Sequence, residues 1–368
     1  MAVVGSLDTA EIRALTSGGN IREDLMAKVW DVSKVPLPFQ DRIGTGSCTS
    51  NIHEWTIDKL GVAAANAWVE NSSIPNTGTA SAPTDIGNAA TQANVIRARN
   101  HCQISAKAIS VSNRSQMVQT SGNTAGLAYQ LMQRQRELKQ DMEFILLSNT
   151  ASLAGNATTT APLLGGYMSW VEDKTAPVQN LFVSAAATPS ADGGYDESTL
   201  LTVAAASTAT PAAISETDLR DVIEAIYNGG AEASTAMMRP ALKRIISQYM
   251  YTSSARIAQL TSEVGQGKTG QDVARGAVSV FISDYGVIEL VPNRFMPFQA
   301  STTHDVVAVF DPAYLSVDYL AQIQVREPAI EGLQERRSMF ADYTLRVSSD
   351  QAIGLIADIA PAGAMTAT

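Results

Sequence analysis

The spacing of apolar and polar positions changes several times along this chain, and each change marks an element. Residues 51–58 alternate, with His53, Trp55 and Ile57 on one side and Ile52, Glu54 and Asp58 on the other, which predicts a half-buried strand. A second strand returns over about Val95 to Ile104. Residues 50–105 therefore read as a long hairpin in which Arg97 and Arg99 meet Glu54 and Asp58 as cross-strand ion pairs, each worth ~0.2–1 kcal/mol. From Asn123 to about Asn149 the period becomes helical. Leu127, Leu131, Leu138, Met142 and Ile145 form a stripe that Arg134 and Gln135 interrupt. The span predicts a helix of about 39 Å at its usual rise, with Asn123 or Thr124 as its cap and Lys139 and Glu143 as an i,i+4 pair. A helix this polar along its middle suits a beam gripped at its ends, with its sides toward other copies of the chain. An ordinary amphipathic helix lying on a sheet is the plainer alternative.

Downstream, residues 156–335 read as a mixed α/β domain. Glu216 to Asn228 is a helix capped by Ser215 and stopped by Gly229 and Gly230, and Pro240 to Arg256 is a second. Apolar runs at Val278–Ile282, Val287–Val291 and Val306–Phe310 read as strands. Residues 184–213 are rich in Ala, Ser, Thr and Gly and read as a surface excursion, with Leu200–Val203 as a short edge strand. The chain closes with Tyr343–Val347 and Ala352–Ile356 as a final pair of strands. Ahead of the hairpin, residues 1–47 read as an arm: Ile21–Trp30 makes two helical turns, Val35-Pro36-Leu37-Pro38 runs extended, and Gly44 and Gly46 close it. Between the hairpin strands, residues 71–94 hold a single charge, Asp85, and no aromatic residue. So long a connection suits a finger that becomes ordered on a neighbour. There is no internal repeat.

Composition narrows the function. The 368 residues are 45% hydrophobic and 17% charged, below the usual quarter for charge, so much of the surface is expected to be covered by partners. A net charge of −10, from 36 acidic and 26 basic residues, argues against a protein that grips nucleic acid through its phosphates, though not against one that encloses it. No window reaches the ~20 apolar residues of a membrane span. The N-terminus lacks the basic region and apolar core of a signal peptide, so synthesis in the cytoplasm is expected. Two cysteines, Cys48 and Cys102, make no disulfide framework. They fall near the outer ends of the two hairpin strands, so a cross-strand disulfide is geometrically open, but the plainer reading is two reduced, partly buried side chains.

Candidate chemistry is thin. Gly265-Gln266-Gly267-Lys268-Thr269 imitates a phosphate-binding loop, but the position that needs glycine is Ser262, and the preceding residues continue a helix where a strand is required. His53 and His101, placed opposite each other in the hairpin near Cys48 and Cys102, invite a metal reading. His101 and Cys102 are adjacent on a strand, however, and point to opposite faces. His304 follows Ser301-Thr302-Thr303 in a turn and reads as a surface residue. The carboxylates Glu216, Asp218, Asp221 and Glu224 read as the solvated face of one helix. No catalytic, cofactor-binding or metal-binding residue is assigned, and no enzyme is expected.

The order of parts carries a resemblance. Glu54-Trp55-Thr56-Ile57-Asp58, Arg97 to Ile104, Val111-Ser112, the helix from Ala128 through Glu137 and Asp141 to Asn149, Ser283-Asp284-Tyr285-Gly286, Pro292 to Met296, and Asp342-Tyr343-Thr344-Leu345 are collinear with features of tailed-bacteriophage major capsid proteins. The chain thus resembles the Hong Kong 97-type capsid fold. The resemblance implies an α+β fold with an N-terminal arm at 1–47 and an extended hairpin loop at 48–104. It implies a peripheral domain with a long spine helix at 105–155 and 336–360, and an axial mixed α/β domain at 156–335. It also implies self-assembly into pentamers and hexamers, an icosahedral shell around double-stranded DNA, and a place in the virion after assembly in the host bacterial cytoplasm. A portal, and a scaffold or cement protein, would be partners. Some relatives lock the shell through Lys–Asn bonds; Lys59 lies near the hairpin, but no motif supports that role. No scaffolding segment is recognised before the arm, and 184–213 would be an outward feature or a docking place for a cement protein. A cellular nanocompartment shell of encapsulin type is the alternative within the fold, and a P-loop nucleotide hydrolase the alternative outside it.

Overall fold

The computed structural model describes residues 36–57, 70, 96–117, 126–156, 158–173, 180–186, 191–207, 210–252, 278–299, 303–329, 332–361 and 365. Two sheets and one long helix organise them. The first sheet has four strands in the order β1-β12-β13-β4, namely Gly44–Ser47, Leu315–Arg326, Gln334–Val347 and Gln103–Ser112. β1 runs parallel to β12, and the other pairs are antiparallel. The arm thus ends in a paired strand at Gly44–Ser47, where the two glycines had suggested only a stop. β12 was missed in the sequence because its first four residues are buried on both faces and include the polar Ser316 and Asp318, which breaks any period-2 signal.

The second sheet has six strands, β5-β14-β11-β8-β10-β9, at Phe182–Ser184, Ile353–Ile359, Asp305–Phe310, Thr235–Met238, Gly286–Pro292 and Val280–Ser283. Its middle strands β14, β11 and β8 are buried at every residue, which is why β14 and β11 read as apolar runs rather than alternating patterns; the four-residue β8 was not expected from the sequence. The expected closing pair of strands is not a pair. β13 belongs to the four-stranded sheet and β14 lies between β5 and β11 in the other. Two adjacent apolar runs suggest a hairpin, but the 3₁₀ turn Asp350–Ala352 hands the chain from one sheet to the next.

The short helix α1 spans Asn113–Met117 and the long helix α2 spans Leu127–Leu147, about 31 Å. The expected caps Asn123 and Thr124 lie outside the described residues; Gly126 occupies the N-cap position. α2 packs against β4 and β13 and buries its C-terminal half through Leu138, Met142, Leu146 and Leu147. α3, Glu216–Asn228, lies on β14 and β5 through Leu219, Val222, Ile223 and Ile226. Gly354 of β14 allows this approach, because a Cβ there would stand 2.4 Å from Val222 Cγ1. The start of α3 is as expected and better than expected: Ser215 Oγ accepts from Asp218 N–H and the Asp218 carboxylate accepts from Ser215 N–H, a complete capping box. Ser215→Ala is expected to cost about 1 kcal/mol, measurable as a lower denaturation midpoint; no change would show that the cap is redundant. The helix α4 covers Pro240–Thr252. One hydrophobic core joins both sheets and the helices α2, α3 and α4.

Candidate assembly site

Three features of this fold bear on assembly, and each is built from identifiable residues. The first is the root of the hairpin. β2, Ile52–Ile57, pairs antiparallel with β3, Ile96–His101, from Ile52↔His101 to Ile57↔Ile96. The returning strand breaks at Cys102, after which the chain enters β4. The alternation that puts His53 and Trp55 on one face feeds an aromatic ladder. His53 lies 5.6 Å from Trp55, Trp55 lies 5.5 Å from Trp170, and Trp170 stacks on Tyr195 at 5.3 Å with ring planes 5° apart. Trp55 Nε1 donates to the Val347 carbonyl at 2.8 Å, so the ladder is tied to the end of β13.

The segment expected as a surface excursion is the buttress of that ladder. β6, Gly194–Asp196, and β7, Leu201–Val203, form a small hairpin whose Tyr195 hydroxyl donates to the Arg97 carbonyl at 2.8 Å. Arg99 donates to the carbonyls of Thr199 and Leu200 at 3.1 and 2.8 Å. Arg99 therefore braces the hairpin sideways instead of pairing across it, while Arg97 forms the expected ion pair with Glu54. Asp58 lies outside the described residues. Leu200 takes a φ of 58°, a left-handed conformation that branched side chains rarely adopt, and its carbonyl receives Arg99. Composition concealed this role because the buttress contacts run through backbone carbonyls and one tyrosine.

The second feature is a buried carboxylate. Glu143 of α2 is 0% exposed and was expected as the surface partner of Lys139. Instead its Oε1 accepts from Phe39 N–H at 2.8 Å and Asn293 Nδ2 at 2.9 Å, and its Oε2 accepts from Gln40 N–H at 3.1 Å. Gln40 Nε2 adds a bond to the Lys139 carbonyl at 3.1 Å, and Arg42 makes a two-pronged pair with Glu289 of β10. The end of the arm, the long helix and the six-stranded sheet thus meet at one side chain. Burial raises the Glu143 pKa, and the surrounding donors oppose the rise. One sequence signal was available: Glu143 is the sole charge in the run Met142–Leu147.

The third feature is the outer face of α2. Arg134 is half-exposed and pairs with Glu137, and Gln135 is exposed, so the interruption of the stripe faces away from the interior as expected. Met132 is 55% exposed and Phe144 50%. Phe144 borders a groove of ≈ 320 Å³ lined also by Ser105, Ala106, Leu138, Asp141 and Ile145; beside it Lys107 pairs with Asp141 at 2.6 Å.

The remaining sequence candidates separate cleanly. His53 is opposite Asn100, not His101, and its Nε2 lies 2.8 Å from the buried Asp318 carboxylate. The one-residue offset follows from the register, which a sequence does not reveal. His304 is buried, not on the surface: its Nδ1 is 3.0 Å from Thr303 Oγ1 and its Nε2 4.0 Å from Asp358 Oδ1. Among the described residues no three His, Cys, Asp or Glu side chains gather as a metal site. Glu216 and Asp218 do not form a solvated face, since Asp218 caps the helix and Glu216 holds Arg220 and the Tyr249 hydroxyl. Lys59 and Gly265–Thr269 lie outside the described residues.

Residues 8–360 match the family model described as SU10 major capsid protein. The chain belongs to the SU10 major capsid protein family. The major capsid protein of Escherichia phage Phieco32 is 27% identical over 234 residues, an alignment that spans 59% of this chain and 63% of that relative. Among solved structures, the capsid of a native GTA particle superposes with a TM-score of 0.58 at 13% identity, covering 96% of this chain and 100% of that one. The Cyanophage Pam1 capsid superposes with a TM-score of 0.54 at 12% identity, covering 98% and 100%. The α+β arrangement of this SU10-family protein is therefore the Hong Kong 97-type capsid fold that the order of its sequence segments had suggested. The family match favours the viral shell over the nanocompartment alternative.

Proposed function

We propose that this chain is the repeating subunit of an icosahedral phage shell, assembled as pentamers and hexamers around double-stranded DNA. The observation that carries the reading is the family match over residues 8–360. The geometry fits a lattice. The paired strands β2 and β3 are braced against the body, and the long helix turns Met132, Arg134, Gln135 and Phe144 outward. We further propose a division into arm (1–47), extended loop (48–104), peripheral domain around α2 and the four-stranded sheet, and axial domain around the six-stranded sheet, with β14 assigned to the axial part. A net charge of −10 suits a wall that encloses DNA without gripping it. The virion would be its final location, with a portal, and a scaffold or cement protein, as partners.

Purified full-length protein examined by negative-stain microscopy is expected to show capsomers, shells or tubes. A monodisperse monomer at high concentration, with no particles under any salt condition, would overturn the proposal.

A further inference from the structure

We propose that Cys48 and Cys102 form an intrachain disulfide, by exchange with a low-molecular-weight disulfide, which staples the root of the hairpin when the protein meets oxidising conditions. The inference stands on the root's geometry and not on the shell reading. These are the chain's two cysteines, and both are reduced and buried. Cys48 lies between β1 and β2, and Cys102 is the single residue between β3 and β4, so together they bracket the whole hairpin. Their sulfurs are 3.5 Å apart. The backbone on each side is already fixed: Cys48 N–H donates to the Tyr319 carbonyl at 3.1 Å and Cys102 N–H to the Asn51 carbonyl at 2.8 Å. A disulfide needs its sulfurs at about 2.05 Å, and small rotations about the two Cα–Cβ bonds cover the difference.

The chemistry balances as a two-electron exchange. One protein thiolate attacks the small disulfide, breaks its S–S bond, and releases one small thiolate, leaving a mixed disulfide. The second protein thiolate then attacks the protein sulfur of that intermediate, forms the Cys48–Cys102 bond, and releases the other small thiolate. The chain loses two protons and two electrons, and the small disulfide is reduced to two thiols.

The surroundings make this a slow step. Burial raises the pKa of both thiols, and the carboxylates of Asp318 on β12 and Asp342 on β13 push the same way. His53 on β2 and Arg346 on β13 stand against Asp318, and β3 carries Arg97, Arg99 and His101, the pKa of His101 lowered by burial and by Arg99. Little thiolate is present at neutral pH, so closure waits for the root to open or for a more alkaline medium. Once formed, the bond closes a loop over a separation of 54 residues and removes much of the freedom of the opened state.

The test incubates full-length protein, in whatever assembly it adopts, with oxidised glutathione at mildly alkaline pH. Remaining thiols are then alkylated under denaturing conditions, and peptides are mapped without reductant. The expected result is loss of both free thiols, the mass of two hydrogens lost per chain, and a peptide joining Cys48 to Cys102. The unfolding midpoint of the oxidised sample should exceed that of the reduced one by about 5 °C. That difference should vanish in Cys48→Ser and, should that variant fold poorly, in Cys102→Ser. Thiols that stay titratable, glutathione adducts without a Cys48–Cys102 peptide, or bonds between different chains would overturn the proposal.

Discussion

Glu143→Ala is expected to destabilise the fold by about 2–4 kcal/mol and to release residues 37–43 from the long helix. The carboxylate is fully buried and accepts from two backbone N–H groups and one amide, of which those of Phe39 and Asn293 are buried and that of Gln40 partly so. Removing it strands three donors, each at a cost of ~1–3 kcal/mol. Relief from burying a charge offsets part of the loss. Chemical denaturation would measure the change, and limited proteolysis before Ile43 would report the freed arm. A variant as stable as the parent, with an unchanged cleavage pattern, would refute this role.

The same site makes a signed pH prediction. A carboxyl whose folded-state pKa is raised binds its proton more readily in the folded protein than in the unfolded one. Its contribution is therefore most favourable below the unfolded pKa and is lost as pH rises through the folded value. Glu143→Gln has no proton to bind. The stability of the parent minus that of Glu143→Gln should accordingly be larger near pH 4 than near pH 7. A difference that grows toward neutral pH would show that the donors, not burial, dominate.

Trp170→Ala is the second large effect, at about 3–5 kcal/mol. Trp170 is 1% exposed, stands between Trp55 and Tyr195 in the ladder, and donates from Nε1 to the Gly165 carbonyl at 3.2 Å. Its loss opens a cavity and also unseats the two elements that brace the hairpin root. Trp55→Ala should cost less, about 2 kcal/mol, because Trp55 is only half-buried. In both variants the hairpin should be cut faster by protease than the six-stranded sheet. Equal cost at the two positions, or uniform protection of the hairpin, would mean that the ladder does not hold the root. If the shell reading is right, Trp55→Ala should also reduce the yield of particles more than its stability loss explains.

The pattern of residues alone determined the long helix, the start of α3 at Ser215, the hairpin of β2 and β3, and the apolar strands β10 and β11. Each of these rests on contacts between residues near in sequence or on a period that burial imposes along one segment. The order of those parts was enough to suggest the capsid fold. What the tertiary structure decided is where separated segments meet. It moved β14 away from β13, turned Glu143 inward onto the arm, buried His304, and set 194–203 against Arg97 and Arg99. It also brought Cys48 to within 3.5 Å of Cys102. None of these leaves a periodic trace, because a hydrogen bond to a distant carbonyl or amide depends on register and on the handover of the chain between sheets. The local alphabet is the same whether such a bond forms or not.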